Sequence, residues 1–401
     1  AEPGRVETVI ERLTVDSVAD IEDSLPQLAK QLQDELRFSG RSQFRAMIVD
    51  VTATDDAYLM LLASHLVVDA VSWWVIVEDL EHAYRGLAAG KPVRLPAKTT
   101  SMRTWSEALA AYADSEAARS TVPLWQPELS ARPFILPVDE GLPGSNDIAD
   151  LANIEVRADR ETTRILLTEA AANQRLQPQE ILIAAFSITI TEWLNRPDLV
   201  VDIEHHGREP VSSDVDVLRT VGWFTSLYPV YLSLPVGSSG GDYLKAVKTR
   251  LRDIPNGGVA YGALRYLGSS TEIRSTLDSA PPSPLLFNYL GQWLRNISED
   301  AWLTFSRPVM ASYGCDGPRR YVFEINAAVF DGELRIAWTY GKNYHHRHTV
   351  NDLAVRFIEH VVTLTELCTT GSGSAPIPQD FPEAELSEAE LGDILAEFGE
   401  D

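Results

Sequence analysis

The segment RYVFEINAAVFDGELRIAWTY, residues 320–340, places two β-rich runs on either side of Asp331-Gly332. An Asp-Gly pair supplies the left-handed residues that a two-residue hairpin turn requires, so the two runs are expected to pair as antiparallel neighbours. A paired sheet has an apolar face that the rest of the chain must cover, and helical material is at hand for it. Residues 161–173, 178–195 and 241–254 carry helical periodicity, whereas 199–204, 227–234 and 284–290 read as strands, so this half is α/β. Near the end, Thr349 followed by Asp352 is expected to cap a helix with Leu353, Phe357 and Val361 on its apolar face. That helix would close the folded part near Cys368, with His345-His346-Arg347-His348 as a polar surface loop before it.

The first half shows the same mixture. Residues 45–53 and 57–65 are apolar runs around the turn-forming Thr54-Asp55-Asp56, which predicts a second antiparallel hairpin whose outgoing strand delivers His65. From Val71 to Leu87 the positions Trp73, Val77, Leu80, Ala83, Tyr84 and Leu87 recur at helical spacing, so His65 and Asp69 bracket a strand-to-helix turn. Further helices are expected near 21–37 and 103–118. The Pro-, Gly-, Ser- and Asn-rich stretch ARPFILPVDEGLPGSNDIAD marks a long connection, placing a lobe boundary around 132–152. The predicted organisation is an N-terminal lobe at 1–145, a C-terminal lobe at 146–368, and a tail at 369–401. The tail opens with a flexible Gly/Ser/Pro stretch and closes with an acidic amphipathic segment presenting Leu386, Leu391, Ile394 and Leu395 on one side, as a linker or docking element would.

Composition excludes several classes of function. A chain of 401 residues, 45% hydrophobic, can bury a large core. With 58 acidic residues against 34 Lys and Arg, the formal charge of -24 repels a phosphate backbone, so no nucleic-acid partner is expected. Cys315 and Cys368 stand far apart, which suggests neither a disulfide framework nor a thiolate zinc site and fits a reducing, cytoplasmic setting. No run approaches the length of a membrane span.

Two segments could carry chemistry. SHLVVDAVSW, residues 64–73, sets an imidazole and a carboxylate four residues apart beside an apolar run; a histidine at a strand end is often merely structural, so the residues alone leave both readings open. EHHGRE, residues 204–209, packs two carboxylates, two imidazoles and an arginine directly after the apolar strand LVVDI, at the kind of strand end from which scaffolds project reactive groups. Neither His205-His206 nor the 345–348 cluster has the paired spacing of a zinc helix or knuckle, so no metal is expected.

Taken together, HxxxDxxSW at His65, EHHGRE, RTVGWFTSLYPV (219–230), IPNGGVAYGALRYL (254–267), FNYLGQ (287–292) and the closing HRHTVNDLA…C resemble, in order, the motifs of epimerization domains of nonribosomal peptide synthetases. That family is a branch of the condensation-domain superfamily related to chloramphenicol acetyltransferase. The resemblance implies two α/β lobes forming a V around a central tunnel, entered by the 4′-phosphopantetheine arm of an upstream peptidyl carrier protein, and no cofactor of the domain's own. It implies L-to-D epimerization at the α-carbon of the carrier-bound thioester, with His65 and Glu204 as the catalytic pair. Asn288 and Tyr289 match positions lining the family's active site, either being able to stabilise an enolate. Asp69, orienting its turn through an ion pair, and Arg208 match structural positions. A downstream condensation domain or synthetase subunit is an expected partner through 380–401.

The chain departs from the family pattern at Ser64, where a histidine is usual, at Ala70 and His205, where glycine is usual, and at its front, where family members carry a further stretch, so the N-terminal lobe is expected to be incomplete. Ala70 is harmless if its φ is negative, and the His205 ring is expected to narrow the cleft beside Glu204. The alternatives to an epimerase are a peptide-bond-forming condensation domain and a catalytically silent domain that recruits carrier proteins or a tailoring enzyme.

Overall fold

The computed structural model describes residues 10–36, 43–54, 56–234, 238–292, 303, 317–370, 376–381, 387, 390 and 391. The chain divides into two compact units, one drawn from Ala1–Met102, Asp216–Phe224 and Asn296–Cys315, the other from Arg103–Val215, Thr225–Arg295 and Asp316–Asp401.

In the first unit, β1 (Ile10–Val15) leads into α1 (Val18–Glu35), followed by β2 (Phe44–Val51), β3 (Ala57–Ala63) and α2 (Ala70–Ala88). The sheet order is β1-β2-β3, with β1 parallel and β3 antiparallel to the central strand. Alternation along FRAMIVDV sends Met47, Val49 and Val51 to one face, where they pack with Ile21 and Leu32 of α1. Ser17 starts that helix with a capping box to Asp20. The strand β1 has no counterpart in the sequence reading: IERLTV alternates between exposed and half-buried positions, and the Arg12–Asp50 pair spends one of its few outward positions on charge.

The second unit opens with α3 (Met102–Ala113), whose first residue closes the preceding unit, then α4 (Glu116–Arg119) and α5 (Gln126–Leu129). There follow β4 (Leu151–Ala158), α6 (Arg160–Ile165), α7 (Ala171–Gln174), α8 (Pro178–Leu194), β5 (Asp198–His205), β6 (Ser226–Ser233), α9 (Gly240–Asp253), α10 (Val259–Tyr266), α11 (Thr271–Asp278), β7 (Leu285–Gln292), β8 (Phe323–Phe330), β9 (Glu333–Gly341) and α12 (Arg347–Thr369). Its sheet runs β4-β9-β8-β7-β5-β6, with β7 parallel to both β5 and β8 and every other pair antiparallel. The hairpin turn is the one Asp-Gly predicts, with φ of 49° at Asp331 and 75° at Gly332. Helix α8 is buried along nearly its whole length; its Ser187, Thr189 and Thr191 hydroxyls return to carbonyls one turn back at 2.7–2.8 Å, which satisfies them inside the core. Phe186 of α8 meets the rings of Phe287, Trp338 and Phe357 with centroids 5.6–5.8 Å apart, joining sheet, α8 and α12.

Three expectations are corrected here. The division falls at Met102–Arg103 and not within 132–152, because Tyr112, Ala113, Trp125, Phe134 and Leu136 are buried in the second unit's core; a Pro/Gly-rich stretch marks irregular backbone, not an end of packing. Helix α12 begins at Arg347 with His346 as its N-cap residue, so Thr349 lies inside the first turn, and His345 is fully buried against Phe323, Trp193 and Tyr344 instead of sitting in a surface loop. Nor does the folded part end near Cys368. Ile377 is buried, Phe381 lies under the Arg175 guanidinium, and Asp380 forms a buried ion pair with Lys248 at 2.6 Å and a second one with Arg252, which also holds Glu180. Of the four apolar residues expected on the docking face only Leu391 is placed, and it is buried; Leu386, Ile394 and Leu395 lie outside the described residues.

Candidate active site

The His65 turn belongs to the first unit. Strand β3 ends at Ala63, the Ser64 amide donates to the Gln43 carbonyl at 2.9 Å, and the Ser64 hydroxyl accepts from the Leu66 amide at 3.4 Å, so serine at this position helps to fold the turn. Asp69 is buried and caps α2, its carboxylate accepting from the Ser72 amide at 2.7 Å and from the Phe224 amide at 3.1 Å. Ser72 donates to the Gly222 carbonyl at 2.9 Å and accepts from the Gly222 amide at 3.0 Å. Arg219 adds ion pairs to Glu78 and Asp79 of the same helix. These bonds staple residues 219–224 to the head of α2 and set the Trp223 ring 5.0 Å from the His65 ring. Two of the Asp69 contacts are thus backbone amides. Ala70 is the first residue of α2 and has no positive φ, so its methyl group meets no backbone strain.

Glu204 lies in the second unit, next to last in β5. Its register partners are Leu227 on β6 and Asn288 on β7, and Asn288 is in turn level with Asn326 on β8. Alternation divides the sheet's faces cleanly. Val201, Ile203, Phe287, Ile325 and Ala327 enter the helix-covered core, whereas Asp202, Glu204, Asn288, Glu324 and Asn326 share the opposite, polar face. Burial pushes the Glu204 carboxyl up from 4.5 to about 7, and the negative charge of Glu324 adds to the effect. Burial likewise raises the Asp202 carboxyl, against the pull of the Tyr321 hydroxyl and the Arg320 guanidinium, each 2.8 Å away. Asn288 donates from Nδ2 to Oδ1 of Asn326 at 3.2 Å.

The same alternation separates the two neighbours that were expected to line the site, either of which could have stabilised an enolate. Tyr289 follows Asn288 and therefore turns to the other face, packing against the core beside Phe287, where burial pushes its hydroxyl up to about 12. His205 also points away from Glu204. Its Nδ1 lies 3.0 Å from Oε1 of Glu209, its ring centroid lies 4.2 Å from that of His206 with the planes tilted by 39°, and it covers Gly257, at which an added Cβ would stand 2.4 Å from Nδ1. The expected narrowing beside Glu204 is therefore not what the ring does. Arg208 is buried.

His205, His206 and Glu209 bring three ligand-type side chains together, a grouping that spacing alone did not reveal. The Arg208 amide donates to Nδ1 of His206 at 3.1 Å, which leaves the ring proton of neutral His206 on Nε2, the atom 3.3 Å from Glu209. Nδ1 of His205 and Oε2 of Glu209 make no hydrogen bond among the described residues, so the three side chains form a close imidazole–carboxylate group of which only His206 Nδ1 has its lone pair engaged. Burial works to raise the Glu209 carboxyl, but the two histidines outweigh it and hold it below the ordinary range. Asn326, Asp202, Glu324 and Trp223 were not singled out in the sequence; strand parity, once the register is known, is the signal that finds the first three.

A family model for the condensation domain matches residues 5–387. The chain is 35% identical over 387 residues to one of the linear gramicidin synthase subunits of Brevibacillus parabrevis, a match covering 95% of this chain and 5% of the synthase. It is 36% identical over 406 residues to chondramide synthase cmdD of Chondromyces crocatus, covering 98% and 10% respectively. The chain thus spans a small fraction of the length of these curated relatives. Among solved structures, the epimerization domain from the third module of tyrocidine synthetase B superposes with a TM-score of 0.83 at 27% identity, over 90% of this chain and 80% of that one. The first condensation domain of the calcium-dependent antibiotic synthetase superposes at 0.64 with 16% identity, over 91% and 76%, a likeness of fold alone. The mixed α/β architecture is the chloramphenicol acetyltransferase-like one of condensation and epimerization domains. With the family model spanning nearly its whole length, the chain belongs to the condensation-domain family.

Proposed function

We propose that this domain epimerizes the α-carbon of an aminoacyl or peptidyl thioester, L to D, presented on the 4′-phosphopantetheine arm of a peptidyl carrier protein. The observation that carries this reading is Glu204, a half-buried carboxyl at the end of an interior strand whose pKa of about 7 lets it both accept and release a proton near neutrality, level with the amide of Asn288. A carboxyl left in water at 4.5 is a weaker base for so reluctant an acid as an α-carbon.

The chemistry follows in two proton transfers. One of Glu204 and His65 takes the α-proton, and the electron pair left behind moves onto the thioester carbonyl oxygen, which accepts charge readily because sulfur donates little resonance. An Asn288 N–H directed at that oxygen stabilises the enolate. The partner group then delivers a proton to the opposite face, and the electron pair returns to the α-carbon, so no atom is gained or lost. Each acid/base group is worth about 10²–10⁴-fold. Trp223 and the Asp69 and Ser72 staple set the His65 side of this pair. The likeness to the tyrocidine synthetase epimerization domain, higher in both identity and superposition than that to the condensation domain, supports the same reading.

The test is to incubate the domain with a carrier loaded with an L-aminoacyl thioester in deuterated water. The expected result is deuterium at the α-carbon and D-configured product, both lost in His65→Ala and Glu204→Gln. Absence of α-deuterium together with dipeptide formation from a supplied acceptor would overturn the proposal in favour of condensation. Absence of both reactions would leave a recruiting domain.

A further inference from the structure

Glu204, Asn288 and Asn326 form a continuous side-chain row across β5, β7 and β8. Adjacent strands lie about 4.8 Å apart, so in-register side chains on one face are immediate neighbours. At the far end of the row β9 contributes Ala337, whose methyl group offers no competing polar contact. The Asn288 amide therefore has a titrating carboxyl on one side and the Oδ1 of Asn326 on the other, 3.2 Å from its Nδ2.

We propose that Asn326 is the residue that sets the polarity of Asn288, a positioning role that rests on the epimerase reading above. A carboxamide is nearly symmetric in shape but opposite in charge at its two ends, since one end donates two N–H bonds and the other only accepts. Left to rotate, Asn288 would interconvert between presenting N–H and presenting C=O to a substrate oxygen. The first presentation stabilises an enolate oxygen and the second repels it. In the structure Asn326 turns its Oδ1 to Asn288, and with that oxygen facing it only the Nδ2 end of Asn288 makes a hydrogen bond there. Once one Asn288 N–H is held by Asn326, the second N–H is fixed in the amide plane and available to substrate. Neither asparagine is fully buried, so water competes for both, and the hydrogen bond between them holds an orientation that packing alone would not.

A double-mutant cycle tests this on the full chain. The α-deuterium exchange rate and KM are measured for wild type, Asn288→Ala, Asn326→Ala and the double variant, with denaturant unfolding of each. Loss of one oxyanion donor lowers kcat by about 10²–10³-fold, so Asn288→Ala is expected in that range and Asn326→Ala about 10-fold or more below wild type, with KM little changed. In the Asn288→Ala background the Asn326 substitution should change kcat by no more than about 2-fold, since its route of action is gone. Asn326→Ser, which keeps an uncharged polar group in place, provides a second route to the same comparison if the alanine variant fails to fold: its effect must also vanish when Asn288 is absent. Equal effects of the Asn326 substitutions in both backgrounds would overturn the positioning role while leaving the epimerase reading intact. No exchange in the wild type would overturn both.

Discussion

Replacing Glu204 by Gln should stabilise the protein above neutral pH while abolishing its exchange activity. Burial, with help from Glu324, moves the Glu204 carboxyl from 4.5 to about 7 in the folded state. At about 1.4 kcal/mol per tenfold change in the protonation constant, ionising Glu204 inside the fold costs about 3 kcal/mol more than ionising it in the unfolded chain. The sign follows from which state releases its proton first. Below about pH 4.5 the carboxyl is protonated in both states and contributes no difference. As the pH rises the unfolded chain ionises first, so wild-type stability falls, and it levels off once the folded carboxyl has ionised above about pH 7. Glutamine has the same shape and no charge to strand. Urea unfolding of both proteins, followed by tryptophan fluorescence, measures the difference directly. Glu204→Gln should gain about 3 kcal/mol on wild type between about pH 4.5 and about pH 8, other titrating groups cancelling in the comparison. A pH-independent difference, or a wild type that gains on the variant as pH rises, would refute the placement of Glu204 in a desolvated site.

Other outcomes follow from separate parts of the structure. Asp380→Asn should destabilise by about 3–5 kcal/mol because it leaves the fully buried Lys248 facing a neutral amide, while Lys248→Met together with Asp380→Leu should recover much of that loss in urea unfolding. Gly258→Ala should unfold the protein or strongly lower its denaturation midpoint, since φ is 71° there and an added Cβ would stand 2.1 Å from the Tyr228 ring. Asp69→Ala should remove a helix cap and the bond to the Phe224 amide, costing about 1–2 kcal/mol and releasing Trp223 from His65; exchange should fall further than stability does, and tryptophan fluorescence of the native state should change. Ala70→Gly should be neutral or destabilising by up to about 1 kcal/mol, with exchange unchanged, because Ala70 already adopts helical backbone.

Much of this fold is legible in the sequence where local chemistry and global packing agree. Asp331-Gly332 dictates its turn, the apolar spacing from Trp73 to Leu87 dictates α2, and LVVDI announces a buried central strand. The departures have physical causes. β1 is hidden because an edge strand with Arg12 paired to Asp50 on its surface has little apolar signal. His345 reads as part of a polar cluster because composition cannot say that one imidazole of three turns inward against Phe323. At the site, the motifs locate β5 and β7 but not their parity: FNYLGQ contains both Asn288 and Tyr289, and only the strand register shows that the amide shares a face with Glu204 while the phenol does not. Asn326 is invisible by the same logic, since AAVF after it reads simply as the wall of a strand.

The ion pair between Lys248 and Asp380 bears on where a usable fragment of this protein can be cut. Thr369 ends the last long helix, and a boundary placed just beyond it keeps every strand of the six-stranded sheet. Such a fragment would nevertheless seal an ammonium group at Lys248 and a guanidinium at Arg252 against a face from which Asp380 had been removed, and would strip Ile377 from its seat. The second unit is geometrically complete at Thr369 but electrically complete only at Phe381, and expression boundaries for this domain are better drawn by charge than by helix.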